Sequence, residues 1–399
     1  MPEYLHPGVY IEEIERGPKP IEGVPTSTSA FLGATERGPT WPTLCTSYND
    51  YKRWFGSVFG DDKYMPYAVN GFFENGGKRL YVCRITDDAA TTATAAFGAN
   101  FSVSAAGPGL WGTRVYAQIK DSSTMKPGPG NTIVPVGLRL RLAYYSKPPA
   151  ENPLDWFNDL RKPPFPAYSE DYDDLVTDEK SPDFYEKRLE DSSALATLVR
   201  GPNAVPGERP ANGFAKLANG ADGAPIDIAD YRGQIALPNR PEAQGLAALE
   251  LDPFREVSLV YAPGVGFDVA KAVITHCENM RFRFAVVDCQ KNTAVGTFEP
   301  RNAVADTKYA GFYYPWIYLS DPMTGATKIV PPGGHVLGIF ARSDAEFGVF
   351  KAPANEPVRG ALELFADTDD ATQDVLNPRG INAIREFPGR GIRVWGART

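Results

Sequence analysis

Between Glu256 and Val287 the chain reads as strand, helix, strand. Glu256–Tyr261 is an apolar run, and Phe267–Met280 carries an apolar stripe through Ala270, Val273, Ile274 and Cys277. Phe282–Val287 (FRFAVV) is a second apolar run. Two strands joined by a helix of that length lie parallel, because only a long crossover returns the chain to the same edge. This unit commits the chain to an α/β core.

The same alternation appears near the start. Thr28–Ala34 (TSAFLGA) and the second half of TWPTLCTS read as strands, Tyr48–Phe55 as a short helix, and Arg79–Ile85 (RLYVCRI) as a strand. Between them Met65, Ala68, Val69, Phe72 and Phe73 make one apolar helical face, closed by Gly76-Gly77. From Asp87 the character changes. A small-residue patch leads into β-type segments, FSVSAA, RVYAQIK and GLRLRLAYY, and residues 145–192 show little periodicity before Phe184. The α/β pattern returns at Leu217, with a helix expected over Pro241–Glu250 and a hairpin over Ile381–Phe387 and Ile392–Gly396. The fold class expected is therefore α/β (α+β): a mixed-sheet core domain over 21–90 and 215–399, an inserted mainly β outer domain over 91–214, and an extended N-terminal arm over 1–20. In the arm, GVYIEEI is a strand set apart by Gly17-Pro18, Pro20 and Pro25, and a lone strand must pair with a sheet somewhere.

Composition removes several classes. The 399 residues carry a formal charge of −8 and a pI near 5.2, which leaves no basic footprint for nucleic acid or anionic lipid. No apolar run reaches the ~20 residues that span a bilayer, and MPEYLHPGVYIEE has no signal-peptide character, so a cytoplasmic start and no membrane insertion are expected. Cys45, Cys83, Cys277 and Cys289 have no metal or disulfide spacing. The 38 glycines and 36 prolines imply many fixed turns.

Candidate chemistry is sparse. Pro263-Gly264-Val265-Gly266 lies between a strand and a helix, where a dinucleotide fingerprint would sit, but the third glycine is replaced by Val269. A tight βα turn is the simpler reading, and a nucleotide-binding α/β enzyme using Gly264 and Gly266 is the alternative. Gly71–Arg79 (GFFENGGKR) fails the phosphate-loop register. The acidic block Glu170–Asp191 lacks a calcium-loop pattern and reads as a solvated surface. His335 follows Pro331-Pro332-Gly333-Gly334 without a nucleophile or ligand set around it. No catalytic residue, metal site or cofactor is expected. The stretch Asp306–Gly360, dense in Phe312, Tyr313, Tyr314, Trp316 and Tyr318, reads as a rigid strand–turn–helix block. Its helix is expected to start at Ser343, with Glu346 completing a capping box.

Three long segments taken together carry a resemblance: YYPWIYLSDP (Tyr313–Pro322), VPPGGHVLGIFARSDAEFGVFKAPANE (Val330–Glu356) and LNPRGINAIREFPGRGIRVWGART (Leu376–Thr399). Earlier echoes are HPGVYIEEI, AAGPGLWGTRV (Ala105–Val115) and LANGADG (Leu217–Gly223). The chain resembles the contractile tail sheath proteins of bacteriophages and related injection systems, over nearly its whole length and least at 120–180. The resemblance implies a structural protein, not an enzyme. It implies stacked hexameric rings around an inner tail tube, contacts with baseplate and tail terminator proteins, and contraction that drives the tube through a target envelope. It also implies that Val9, Tyr10, Ile11, Glu12, Glu13 and Ile14 form a strand donated to a neighbouring subunit. Family members continue beyond VWGART, whereas this chain stops at Thr399. The second strand-exchange arm is thus expected to be missing, and the chain alone to be monomeric. A tail or injection-system particle assembled in the bacterial cytoplasm is the expected location. A glycan or small-molecule binder using the aromatics of 312–318 is a third reading.

Overall fold

The computed structural model describes residues 26–190, 192–235, 242–293 and 296–399. The strand expected over Val9–Ile14 lies outside the described residues, as does Pro241 at the start of the expected Pro241–Glu250 helix. The core is an eight-stranded sheet. Its strands are β1 (Ser29–Gly33), β2 (Thr43–Cys45), β3 (Leu80–Arg84), β13 (Leu259–Tyr261), β14 (Phe284–Asp288), β15 (Ala310–Tyr314), β19 (Ile381–Phe387) and β20 (Gly391–Trp395). Their spatial order is β2-β3-β1-β13-β14-β15-β19-β20. The six inner strands run parallel, while β2 and β20 pair antiparallel at the two ends. Strands such as SAFLG are buried at every position, as expected where both faces of a parallel sheet are covered.

Helices supply those covers. On one face lie α1 (Tyr48–Phe55), α2 (Met65–Glu74) and α9 (Gly333–Glu346), packed on Phe31, Val82, Val286, Tyr313 and Ile384. On the other, α5 (Ile228–Arg232), α6 (Gly245–Leu249), α7 (Phe267–Met280) and α10 (Asp370–Leu376) accompany a core of Leu32, Cys83, Val260, Val287 and Phe312. The short α8 (Pro300–Ala303) leads into β15. A small sheet of β16 (Ile317–Ser320), β17 (Thr327–Val330) and β18 (Glu363–Leu364) closes one end. The dense aromatics prove to be core: Phe312, Tyr313, Tyr314 and Trp316 are all buried, and the Trp316 indole donates to the Cys289 carbonyl at 2.7 Å. Of these, Phe312 borders a cavity of only about 30 Å³.

One element begins elsewhere than the sequence suggests. Helix α9 starts at Gly333, inside the Pro-Pro-Gly-Gly segment, and Ser343 lies buried within it with its hydroxyl unpaired. The glycines that looked like breakers are contact points. A methyl group on Gly334 would overlap the Ala68 backbone of α2, and one on Gly338 would lie 2.8 Å from the Asn75 Cβ. Close approach of α9 to α2 therefore overrides helix propensity here.

Residues between Thr94 and Lys216 build sheets of their own. Strands β10 (Tyr168–Leu175), β9 (Leu138–Tyr144), β6 (Val115–Asp121) and β12 (Gly213–Lys216) form one. A second contains β11 (Ala196–Arg200), β5 (Phe101–Ala105) and β4 (Thr94–Ala96), and β7 (Met125–Pro127) pairs with β8 (Ile133–Pro135). The short helices α3 (Leu154–Asn158) and α4 (Tyr185–Leu189) fill the loops. Strand β10 falls where the sequence showed no periodicity. It is an edge strand whose Asp171 is held by Arg139 and Arg141 of β9 at 2.7 and 2.8 Å. The two crossings between core and insert are zipped together, Thr91 to Ala221 and Thr94 to Ala218.

Candidate functional site

The chain runs from β1 toward β3 on one side and later takes up β13 on the other, so the order reverses between β1 and β13. In open parallel sheets the crevice above the carboxyl ends of such a pair is the usual ligand position. Here it is an open cavity of about 470 Å³, bordered by Gly33, Tyr64, Tyr231 and the Pro263–Gly266 turn. This is the place where the nucleotide alternative stands or falls.

Its chemistry opposes a phosphate. Among the described residues three carboxylates, Asp62, Asp227 and Asp268, share the lining with a single cation, Lys63. Asp268 sits in the first turn of α7, at the end a pyrophosphate would use. Asp227 caps α5 by accepting from the backbone of Ala229 and Asp230. Burial, followed by Asp62, pushes the Tyr64 hydroxyl up to about 12; burial, followed by Asp230 and Asp268, does the same to Tyr231. Gly264 has a conformational and packing reason, whereas the one close neighbour of Gly266 is the far end of the exposed Asp268 side chain. Gly264 adopts φ +66, and a Cβ there would run into the Tyr64 ring, while a Cβ on Gly266 would lie 2.6 Å from Asp268 Oδ1. The Gly264/Gly266 turn is a tight βα turn beside an acidic crevice.

Next to it stands a group that the sequence reading missed. Asp288, at the end of β14, accepts from the Tyr261 hydroxyl at 2.6 Å and from the Gly333 amide at 2.9 Å. It thereby ties β13 and β14 to the first turn of α9. Burial pushes its carboxyl up to about 7 against those donors. The nearby histidines are structural. His335 is buried against Gly71 with Nδ1 unpaired, and burial pushes it down to about 4. His276 is also pushed down to about 4, first by burial and then by the adjoining Arg283 guanidinium. The four cysteines are buried and free. Among the described residues no group of three or more His, Cys, Asp or Glu side chains is placed to hold a metal ion. No helix among them is long and apolar enough to cross a membrane.

Comparisons with known proteins bear on the part of the chain that supplies most of this core. Residues 243–399 match the family model of the phage tail sheath protein central domain. Over 92 residues the chain is 33% identical to the tail sheath protein of Burkholderia phage BcepMu, covering 22% of this chain and 19% of the relative. Over 91 residues it is 31% identical to a putative prophage major tail sheath protein of Pseudomonas aeruginosa, covering 21% and 23%. The aligned stretches thus span about a fifth of these curated relatives. The crystal structure of a sheath tail protein from Listeria innocua has a similar fold over 92% of this chain and 68% of its own, with a TM-score of 0.54 and 12% identity. Residues 243–399 therefore resemble the phage tail sheath central domain, and the mixed α/β fold around them is one that a sheath tail protein also adopts.

Proposed function

We propose that the chain is a subunit of a contractile tail sheath. In this reading it polymerises as stacked hexameric rings around an inner tail tube, anchored by baseplate and terminator proteins. Contraction of the rings drives the tube through a target envelope. The observation that carries the reading is the match of residues 243–399 to the tail sheath central domain. The acidic lining of the switch-point crevice supports it by opposing the nucleotide-enzyme alternative.

The domain division 21–90 with 215–399, against 91–214, belongs to the same proposal. The core is the part that packs into the rings, and the inserted β domain lies outward. Residues Val9–Ile14 are the strand that one subunit donates to the next, since a segment with free backbone groups gains most by joining a sheet. Energy is stored in assembly, so the proposal needs no cofactor. A head-to-tail contact that does not close on itself generates an open helix, the form a sheath requires. The reading is tested by immunogold microscopy of particles from cells that make the protein. Label along the outer cylinder of tail-like particles is the expected result. Protein found only as free monomer, with unlabelled particles, overturns the reading.

A further inference from the structure

Two features of the surface complement one another. The first is a basic tip. Residues 379–398 hold five arginines and one glutamate in a chain of net charge −8. Arg385 and Arg393 are directly opposite in the β19–β20 ladder, an unfavourable like-charge pair. Arg385 is relieved by Asp370 at 2.5 Å, but Arg393 bonds only the carbonyls of Arg390 and Asn355. Arg390 reaches the Asn355 side-chain oxygen at 2.9 Å and lies over the Phe387 ring. Among the described residues neither Arg390 nor Arg393 has a carboxylate partner. Strand β15 ends opposite Ala383, and β19 runs on to Phe387, so the turn Pro388–Arg390 projects past the carboxyl edge of the sheet by ~13 Å. Phe387 and Trp395 stiffen its base as an edge-to-face pair at 4.7 Å.

The second feature is the crevice between β1 and β13. Asp62 and Asp268 are exposed there, and among the described residues Asp62 accepts only from the Tyr64 hydroxyl, at 3.2 Å. With phosphate opposed by charge and no metal-ligand set among the described residues, the acidic lining favours an organic cation. A guanidinium suits it best: planar, paired by carboxylates, and stacked on the tyrosine rings that border the cavity.

We propose that the Arg390-bearing hairpin tip of one copy seats in the Asp62/Asp268 crevice of a second copy. Because the knob and the socket are different surfaces, the contact can be made head-to-tail, and in that form it repeats. It rests on the reading that the chain assembles with copies of itself, and it names residues that join them. Arg390 enters between Tyr64 and Tyr231 and bonds the two carboxylates, with Arg393 adding positive charge at the rim. Lys63 sets the side from which a second cation is turned away.

The experiment is sedimentation velocity over a concentration series of the full chain at low and high salt, with Arg390→Glu, Asp62→Lys and the combined swap. Both sites are exposed, so thermal midpoints close to the wild type are expected and serve as the folding control. Wild-type protein is expected to self-associate weakly at low salt, each single reversal to weaken this at least ~10-fold, and the double swap to restore most of it. Association indifferent to both reversals overturns the contact, as does its absence from the wild type at any concentration. Labelled particles in the microscopy test would then leave the sheath reading standing; unlabelled particles with a charge-swap response would do the reverse.

Discussion

Gly334 and Gly338 lie one helical turn apart on the face of α9 that meets α2, and both are buried. On propensity alone, Gly→Ala in a helix interior stabilises by about 1 kcal/mol. Here the added methyl meets backbone that cannot yield, so Gly338→Ala is expected to destabilise by ~1–3 kcal/mol, read as a fall in the urea midpoint. A rise of the midpoint would show that the helices separate freely. The buried titratable residues make a second prediction. His276 and His335 have folded values near 4, below the ordinary 6.5, so the unfolded chain binds more protons between those limits. Their contribution is present above pH 6.5 and lost as pH falls toward 4. Asp288 has the opposite sign: its folded value near 7 exceeds 3.8, so its contribution is lost as pH rises between the two. The carboxyl therefore masks part of the histidine slope. Asp288→Asn, which keeps an acceptor for Tyr261 or Gly333, is expected to steepen the acid-side loss of stability between pH 4.5 and 6.5 roughly two-fold. Equal slopes in the two proteins would refute the opposition.

At the scale of elements, Arg283 shows how a connection is held without regular structure. Its guanidinium is almost fully buried and donates to the carbonyls of Leu249, Phe254 and Val257. Leu249 ends α6, and Phe254 and Val257 lie on the connection from it to β13. Arg283→Met removes all of these donors at once and is expected to cost ~3–5 kcal/mol, measured by chemical unfolding. A loss under ~1 kcal/mol would mean that water replaces the side chain. The elements legible in the sequence are those whose pattern is local. Helix α7 runs over the Phe267–Met280 span that the sequence predicts, because its apolar stripe and the turn before it lie within the segment itself. Strand β10 was missed because its charges are satisfied across the sheet, by Arg139 and Arg141, and a single strand does not display its neighbour. The start of α9 was misplaced for a related reason. Glycine marks a break only when nothing packs on it, and α2, which does so, lies far away in sequence.

For the whole molecule, topology decided what the sequence could not display. Asp62, Asp227 and Asp268 are spread over some 200 positions and meet only because the strand order reverses between β1 and β13. No local spacing signals that crevice, whereas the family segments, being contiguous, were readable directly. The insert and the core are also joined more firmly than two linkers suggest. Arg37 is buried between the Tyr144 and Tyr168 rings and donates to the carbonyls of Lys52 and Trp54, and the Tyr144 hydroxyl bonds Glu36 at 2.8 Å. A single calorimetric transition is expected for the native chain, splitting into two in Arg37→Ala as the insert is released. One unsplit transition in the variant would show that the linkers suffice. The zipped crossing at Thr91–Ala221 and Thr94–Ala218 has a practical sequel. The chain departs and returns through neighbouring residues ~5 Å apart, so the core senses only a closed gate. Any foreign module whose own ends meet at that span can be spliced there, which makes the core a chassis for interchangeable heads.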